Sequence, residues 1–403
     1  MNEILKLKMP GLNESISTMN KDINQIIKQS STTEELMKYL KEQLQNSSFD
    51  EVIEDDVNNL IGCVSGYNQQ ESIAVIANID LSSNKFDYTS DRQPINKNGI
   101  EGTNINALIT AYHTGLLLKR SIAPLNGNVY ICFLPRFKNC NFGIQYLFDN
   151  YLKDKKIKAV ILCEPTDLKV NIGNKGQMEY EIVINGKINN PIIKKSNLEI
   201  MGSMYPIINE LTEISGKLPS DRDLGESSLE IKDFMFSNIN NNIDNNMMSI
   251  KVDRTYVPEE QPTSILKKAK TLTQKVYNSS QTNVMTQLVN TSIETNKGKK
   301  LLTSKNYKPW KMDPYNEVIR SSCQALTENK ISAEISHWKK IVTEGSYTFG
   351  EKGIPTLGYG IGKEGEKVKN HSVKMLGQSI LGKSTIIYRL IGMPTFGWSA
   401  DDI

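Results

Sequence analysis

Two carboxylates stand where an α/β protein does chemistry. Ala159-Val-Ile-Leu-Cys163 is a short apolar run without helical period, followed by Glu164-Pro-Thr-Asp167. It reads as a strand buried on both faces, with Glu164 at its carboxyl end. Ile73-Ala-Val-Ile-Ala-Asn-Ile-Asp80 repeats the pattern and ends on Asp80. Ligands gather at that end of the strands in open α/β sheets, and carboxylates there can bind a cation or move a proton. Other equipment is thin. There are three histidines, His113, His337 and His371, which weighs against catalytic zinc because imidazole is its commonest ligand there. His113 on a helix and His337 beside Trp338 read as structural. Cys140 and Cys163 near the same rim could take a softer metal with His371 or Asp80, but most buried cysteines are simply small apolar packing. No Ser/His/Asp or Cys/His nucleophile has sequence support.

The elements that must position these groups alternate. Ser31-Thr-Thr-Glu-Glu is a capping-box helix start, and Leu36, Leu40 and Leu44 mark one face of the helix. Two short strands lie between Glu51 and Val64, and the strand ending at Asp80 follows. A helix is expected from Asn104 to Leu118, a strand from Asn128 to Leu134, a helix from Gly143 to Lys153, then the strand ending at Cys163. That is an α/β domain with helices on both faces of its sheet. Met1 to Asn24 has only weak periodicity and reads as an arm or an irregular first helix. Met178 to Ile184 then alternates like a half-exposed antiparallel strand. Beyond it come a helix over 198–218, an Asn-rich connection over 237–246, a strand over 247–252, a helix over 262–277 and a strand over 283–289. This β-α-β-β-α-β-like order suggests a small antiparallel sheet with two helices on one face. A helix starting at Asp313-Pro-Tyr, with Asp313 as its cap, the strand-like Gly353-Ile-Pro-Thr-Leu-Gly-Tyr-Gly360 and a helix over 373–390 return the chain to the first domain. The expected division is 1–177 with 294–403, and 178–293 inserted between them.

A chain of 403 residues can bury two full cores. A net charge of +3 gives no case for nucleic acid or an acidic membrane surface. No apolar run approaches a membrane span, and five widely spaced cysteines suit a reducing compartment, so a cytoplasmic location is expected.

Glu-Pro-Thr-Asp, then Gly173-x-x-Gly176-x-Met-Glu, then a strand ending in Asn185-Gly186 resembles the dinuclear-zinc peptidase family of aminoacylase, carboxypeptidase G2, acetylornithine deacetylase and succinyl-diaminopimelate desuccinylase. The similarity runs from about residue 30 to 375 and is closest to the branch of hydrolases linked to selenium metabolism. It implies a peptidase-like mixed sheet with an inserted lid and dimerisation domain of four antiparallel strands and two helices. It also implies paired zinc ions, a bridging carboxylate and a glutamate base that activates water for amide cleavage.

Carried over by position, the family's metal ligands fall on Asn78, Gly102, Asn139, Glu164 and Val368, and its general base on Lys138. Asp80 matches the carboxylate that orients the first histidine. Glu101 lies one position from Gly102, and His371 three beyond Val368. The histidine of the lid falls on Asn190, while Asp253-Arg254 keeps the family's pair. Only Glu164 retains its ligand character, and one carboxylate cannot hold zinc. The resemblance therefore points to a degenerate member without hydrolytic activity, expected to carry no cofactor. Its expected role is a binding or assembly subunit, as a homodimer through the lid or a heteromer with an active relative. Two alternatives stay open. One is a zinc-dependent hydrolase of small N-acyl or amide compounds, rebuilt from Glu164, Asp80, Glu101 and His371. The other is a sensor whose interdomain cleft closes on a small carboxylate held by Arg254 or Lys175, with Asn190 as a further substrate-binding position.

Overall fold

The structure is a computed structural model describing residues 11–29, 33–68, 71–79, 102–135, 141–185, 197–238, 246–280, 283–294, 298, 300–365 and 371–392. The chain divides into two compact units. One comprises residues 1–174, 294–299 and 311–403, and the other 175–293 and 300–310.

The first unit opens with α1 (Leu12–Gln29) and α2 (Thr33–Asn46). α1 is a regular helix, not an arm: Ile16, Met19 and Ile23 lie on one stripe and are buried, and polar residues occupy the other faces. Leu36, Leu40 and Leu44 of α2 are buried as their spacing requires. β1 (Glu51–Glu54) and β2 (Leu60–Val64) form an antiparallel pair. β3 (Ser72–Ile79), α3 (Gly102–Arg120), β4 (Val129–Pro135), α4 (Phe142–Tyr146), β5 (Ile157–Leu162) and β6 (Val170–Asn174) follow. β3 and β4 are buried at every position, the mark of strands covered on both sides. Ile131 of β4 packs under Gly115 of α3, and Leu134 lies beside Gly143 of α4. Residues three apart on a strand point to opposite faces, so helices cover both sides of the sheet.

The second unit carries β7 (Gly176–Asn185), α5 (Asn197–Ser215), the two-residue strands β8 (Ser220–Asp221) and β9 (Gly225–Glu226), β10 (Ser228–Asn238), β11 (Asn246–Tyr256), α6 (Pro262–Ser280) and β12 (Asn283–Leu288). β13 (Asn290–Glu294) pairs with β14 (Lys300–Ser304), and β15 (Asn306–Tyr307) adds to β7. The main sheet has the order β10-β11-β7-β12, antiparallel throughout. Met178, Tyr180, Ile182 and Ile184 alternate onto one face with Met248, Ile250 and Val252, and meet Met204, Ile207, Leu211, Ala269 and Leu272 of the two helices. β15 brings 300–310 into this unit, a stretch the sequence reading placed with the first domain. Two paired residues leave no periodicity to read.

The chain then adds β16 (Trp310–Lys311), α7 (Glu317–Glu328), β17 (Ile335–Trp338), α8 (Gly345–Thr348), β18 (Thr356–Gly358) and α9 (Val373–Ile391). The first unit's sheet is mixed, with order β1-β2-β4-β3-β5-β18-β6-β16 and β17 beside β6. β4, β3, β5 and β18 run parallel, and β6 is antiparallel to β18. Two local expectations change. The Asn316 side chain caps α7 by accepting from Val318 N–H. Asp313 instead closes a turn, its Oδ1 accepting from Tyr315 N–H and its carbonyl from Asn316 N–H. The helix expected over 143–153 is one α-turn, α4, continued by a π-helical turn over Leu147–Tyr151. Among the described residues no helix is long and apolar enough to cross a membrane.

Candidate functional site

Register alone brings Asn78 and Glu164 together. Ile76 of β3 lies opposite Leu162 of β5 in parallel pairing. Two residues further on each strand are Asn78 and Glu164, level with each other on the same face. The Asn78 Nδ2 amide donates to Glu164 Oε1 at 2.6 Å, with both residues buried at 3% and 6% exposure. A charge-assisted bond this short stabilises a carboxylate held away from water.

The turn that carries Glu164 is held from several sides. Trp338 Nε1 donates to Pro165 O at 2.6 Å. Thr166 Oγ1 donates to Gly360 O and accepts from Gly360 N–H. Asp167 and Leu168 both adopt left-handed backbone, with φ of 57° and 58°. For a leucine that conformation is strained, and it persists only where neighbours over-determine it. Here Asp167 N–H and Leu168 N–H donate to Gly362 O and Gly360 O. Gly360 must lack a side chain, because a Cβ would overlap the Glu164 carbonyl oxygen, and one at Gly358 would enter the Trp338 ring. The Gly-Tyr-Gly spacing of the last strand was the visible sign of this close approach.

In electrostatic range of Cys163 lies a buried lysine that sequence reasoning missed. Lys383 of α9 is fully buried, and its ammonium donates to Ser379 Oγ at 2.6 Å and Thr110 Oγ1 at 3.1 Å. Burial pulls its pKa down, opposed by the neighbouring Cys163. Burial likewise pushes the Cys163 thiol up to about 11, against the pull of Lys383. Burial thus favours the neutral thiol over the nucleophilic thiolate. A lysine on a helix ordinarily reads as a solvent face, so nothing in the sequence marked Lys383 as core.

Of the other expected positions, Gly102 begins α3. His371 is half-buried just ahead of Ser372, which caps α9. Asp80, Glu101, Lys138, Asn139, Cys140, Asn190 and Val368 lie outside the described residues. Arg254, expected to face a substrate carboxylate, is committed elsewhere. It is 2% exposed, its guanidinium donates to the Ser228 and Thr255 carbonyls, and it pairs with Glu260 at 2.5 Å. Strand position could not tell a buried clamp from an open ligand. Lys175 is half-buried and donates to Glu226 O at 2.6 Å.

No known protein-family model matches the chain. It is 22% identical over 339 residues, 81% of each chain, to the uncharacterized protein YgeY of Escherichia coli K12. Its structure resembles the aminopeptidase PepT of Bacillus cereus, with a TM-score of 0.65 and 14% identity over 94% of this chain and 98% of that one. The di-peptidase Dug1p of Saccharomyces cerevisiae superposes with a TM-score of 0.64 and 12% identity, over 97% and 99% of the two chains. The Bacillus subtilis YXEP protein, a dinuclear metal binding peptidase of the M20 family, does so at 0.62 and 14%, over 95% and 100%. The fold is that of the M20 metallopeptidases. At these identities the likeness carries architecture, not activity.

That fold implies paired metals, and the residues present test whether they fit. Among the described residues no three His, Cys, Asp or Glu side chains come together to hold a metal ion. Among the described residues at the strand ends the donor set is one carboxylate, with Oε1 accepting from an amide N–H, and one carboxamide. A carboxamide oxygen is a poor zinc donor, and three or four ligands are required. The described residues do not fit a dinuclear centre.

Proposed function

We propose that this chain keeps the peptidase architecture without paired-metal hydrolysis and acts as a binding or assembly protein. The observation that carries the reading is the Asn78–Glu164 hydrogen bond, because it spends on an amide the carboxylate that a metal would need. A carboxylate that already accepts from a protein donor has less need of a dication to offset its charge.

The partner we propose is a second copy of this chain, docking through the second unit. β10 stands at one end of its sheet order with eleven residues, long for an edge strand, and Phe234 and Met235 on it are 52% and 44% exposed. Such an edge is a ready pairing template. The register shift between Ile231 and Asp233, and Lys232 beside it, restrict pairing to the Phe234–Asn238 half. The site of action we propose is the cytoplasm.

Metal analysis of protein purified without chelator tests the catalytic half of the reading, and zinc well below one equivalent is expected. Two equivalents of metal with chelator-sensitive amide hydrolysis would instead establish the rebuilt hydrolase, the activity class of the peptidases that share the fold. Sedimentation equilibrium tests the assembly half. A dimer that becomes monomeric in the F234K/M235K variant is expected, and a monomeric wild-type chain would refute it.

A further inference from the structure

A concavity lies at the amino end of β5, opposite the end that carries Glu164. The strand's six residues put its first residue, Ile157, about 17 Å from the Glu164 end. There a cavity of about 410 Å³ opens to solvent, within the size range of small-molecule sites. Its floor is apolar, made by the buried Phe148 and Leu152 and the half-buried Ile157 and Ile354. Its rim is charged, with Asp149, Lys153, Lys155 and Lys352.

The rim charges are not equivalent. Lys352 bonds Asp149 Oδ1 at 2.7 Å and lies 5.4 Å from the Tyr347 ring centroid, and Tyr347 Oη also donates to Asp149. Lys156 and Lys158, next along the chain, both pair with Glu71. Lys153 and Lys155 are exposed and make no ion pair among the described residues. Two lysines without a direct ion pair, Lys153 with the Asp149 carboxylate in electrostatic range, thus line the cavity beside its apolar floor. The wall that carries them departs from regular helix: Leu152 N–H bonds Leu147 O, the i→i+5 closure of the π-turn. Such turns are energetically poor and recur at functional sites. Here the extra residue places Phe148 and Leu152 on the floor and Asp149 on the rim.

We propose that this cavity binds a small organic anion, an oxyanion head held by Lys153 and Lys155 with its apolar body on Phe148, Leu152, Ile157 and Ile354. Head and body are both needed, since exposed ion pairs alone contribute little and the floor alone gives no orientation. The inference stands apart from the Glu164 end and from the assembly reading.

Isothermal titration calorimetry at low salt, with phenyl phosphate and phenylacetate as probes and inorganic phosphate and benzyl alcohol as controls, tests it. At least one probe should saturate at about tenfold lower concentration than either control, and which probe wins distinguishes a phosphate head from a carboxylate. The K153E/K155E variant, altered only at exposed side chains, should keep its thermal midpoint and bind that probe at least tenfold more weakly, about 1.4 kcal/mol. No saturation by either probe up to about 10 mM, benzyl alcohol binding equally well, or an unaffected variant would each overturn the proposal.

Discussion

Replacing Asn78 interrogates the contact on which the functional reading rests. In Asn78→Ala the Glu164 carboxylate, 6% exposed, loses an amide donor at 2.6 Å. A hydrogen bond to a charged group contributes about 1.5–3 kcal/mol, and that loss is expected. Asn78→Asp is harsher, because it sets a second carboxylate against the first where water is scarce. One of the two must then keep its proton to higher pH, because two carboxylates in contact cannot both ionise cheaply. The folded state holds a proton that the unfolded chain releases near pH 4. Stability of this variant should therefore fall relative to wild type as pH rises from about 4 through the raised pKa, and then level off. Urea titrations from pH 4 to 8 read this out by tryptophan fluorescence, since Trp338 is bonded to Pro165 in the same turn. A variant matching wild type at pH 8 without divalent cations would refute the contact. A wild-type midpoint that drops on adding chelator would show that a cation sits there.

Breaking the Arg254–Glu260 pair with Arg254→Met should cost about 3–5 kcal/mol in chemical unfolding, as for other buried pairs that lose one partner; a loss of ligand affinity at unchanged stability would restore the substrate-binding role. His113 is fully buried with its pKa pulled down to about 4 by burial, its Nδ1–H on Ile109 O and its Nε2 accepting from Ser15. The unfolded chain gains a proton near pH 6.5 that the folded chain refuses until about 4. Stability should thus fall by about 3 kcal/mol as pH drops through that window, and His113→Asn should flatten the dependence. Lys383→Met removes a buried ammonium while Thr110 keeps its own bond to Ala107 O, so its thermal midpoint should match or exceed wild type. A loss above about 3 kcal/mol there would mean the ammonium satisfies more than two hydroxyls. Gly358→Ala should shift Trp338 emission and destabilise the first unit, because the ring must move to admit the methyl group.

Sequence periodicity was enough to locate most strands and helices, because each pattern reports how one element meets a core. The uninterrupted apolar run of β3 announced a strand covered on both faces, and the alternation from Met178 to Ile184 announced one covered on a single face. The Leu36, Leu40 and Leu44 stripe did the same for α2. The failures were local and physical. The Asp313 side chain and carbonyl were used in a turn before the helix could claim them, and one residue of π-winding was invisible in a pattern so short.

What the sequence determined by itself about the candidate site was the chemistry available: one acid at a strand end, few imidazoles, and an amide where a ligand was expected. Only the tertiary structure decided how those groups are spent. Strand register set Asn78 against Glu164, the turn after β11 folded Glu260 back onto Arg254, and helix packing put Lys383 in electrostatic range of Cys163. Propensity and periodicity act between neighbours in the chain, whereas the surroundings of a buried charge are chosen by packing that joins distant segments, Asn78 with Glu164 and Thr110 with Lys383, through the geometry of pairing and the cost of leaving that charge alone.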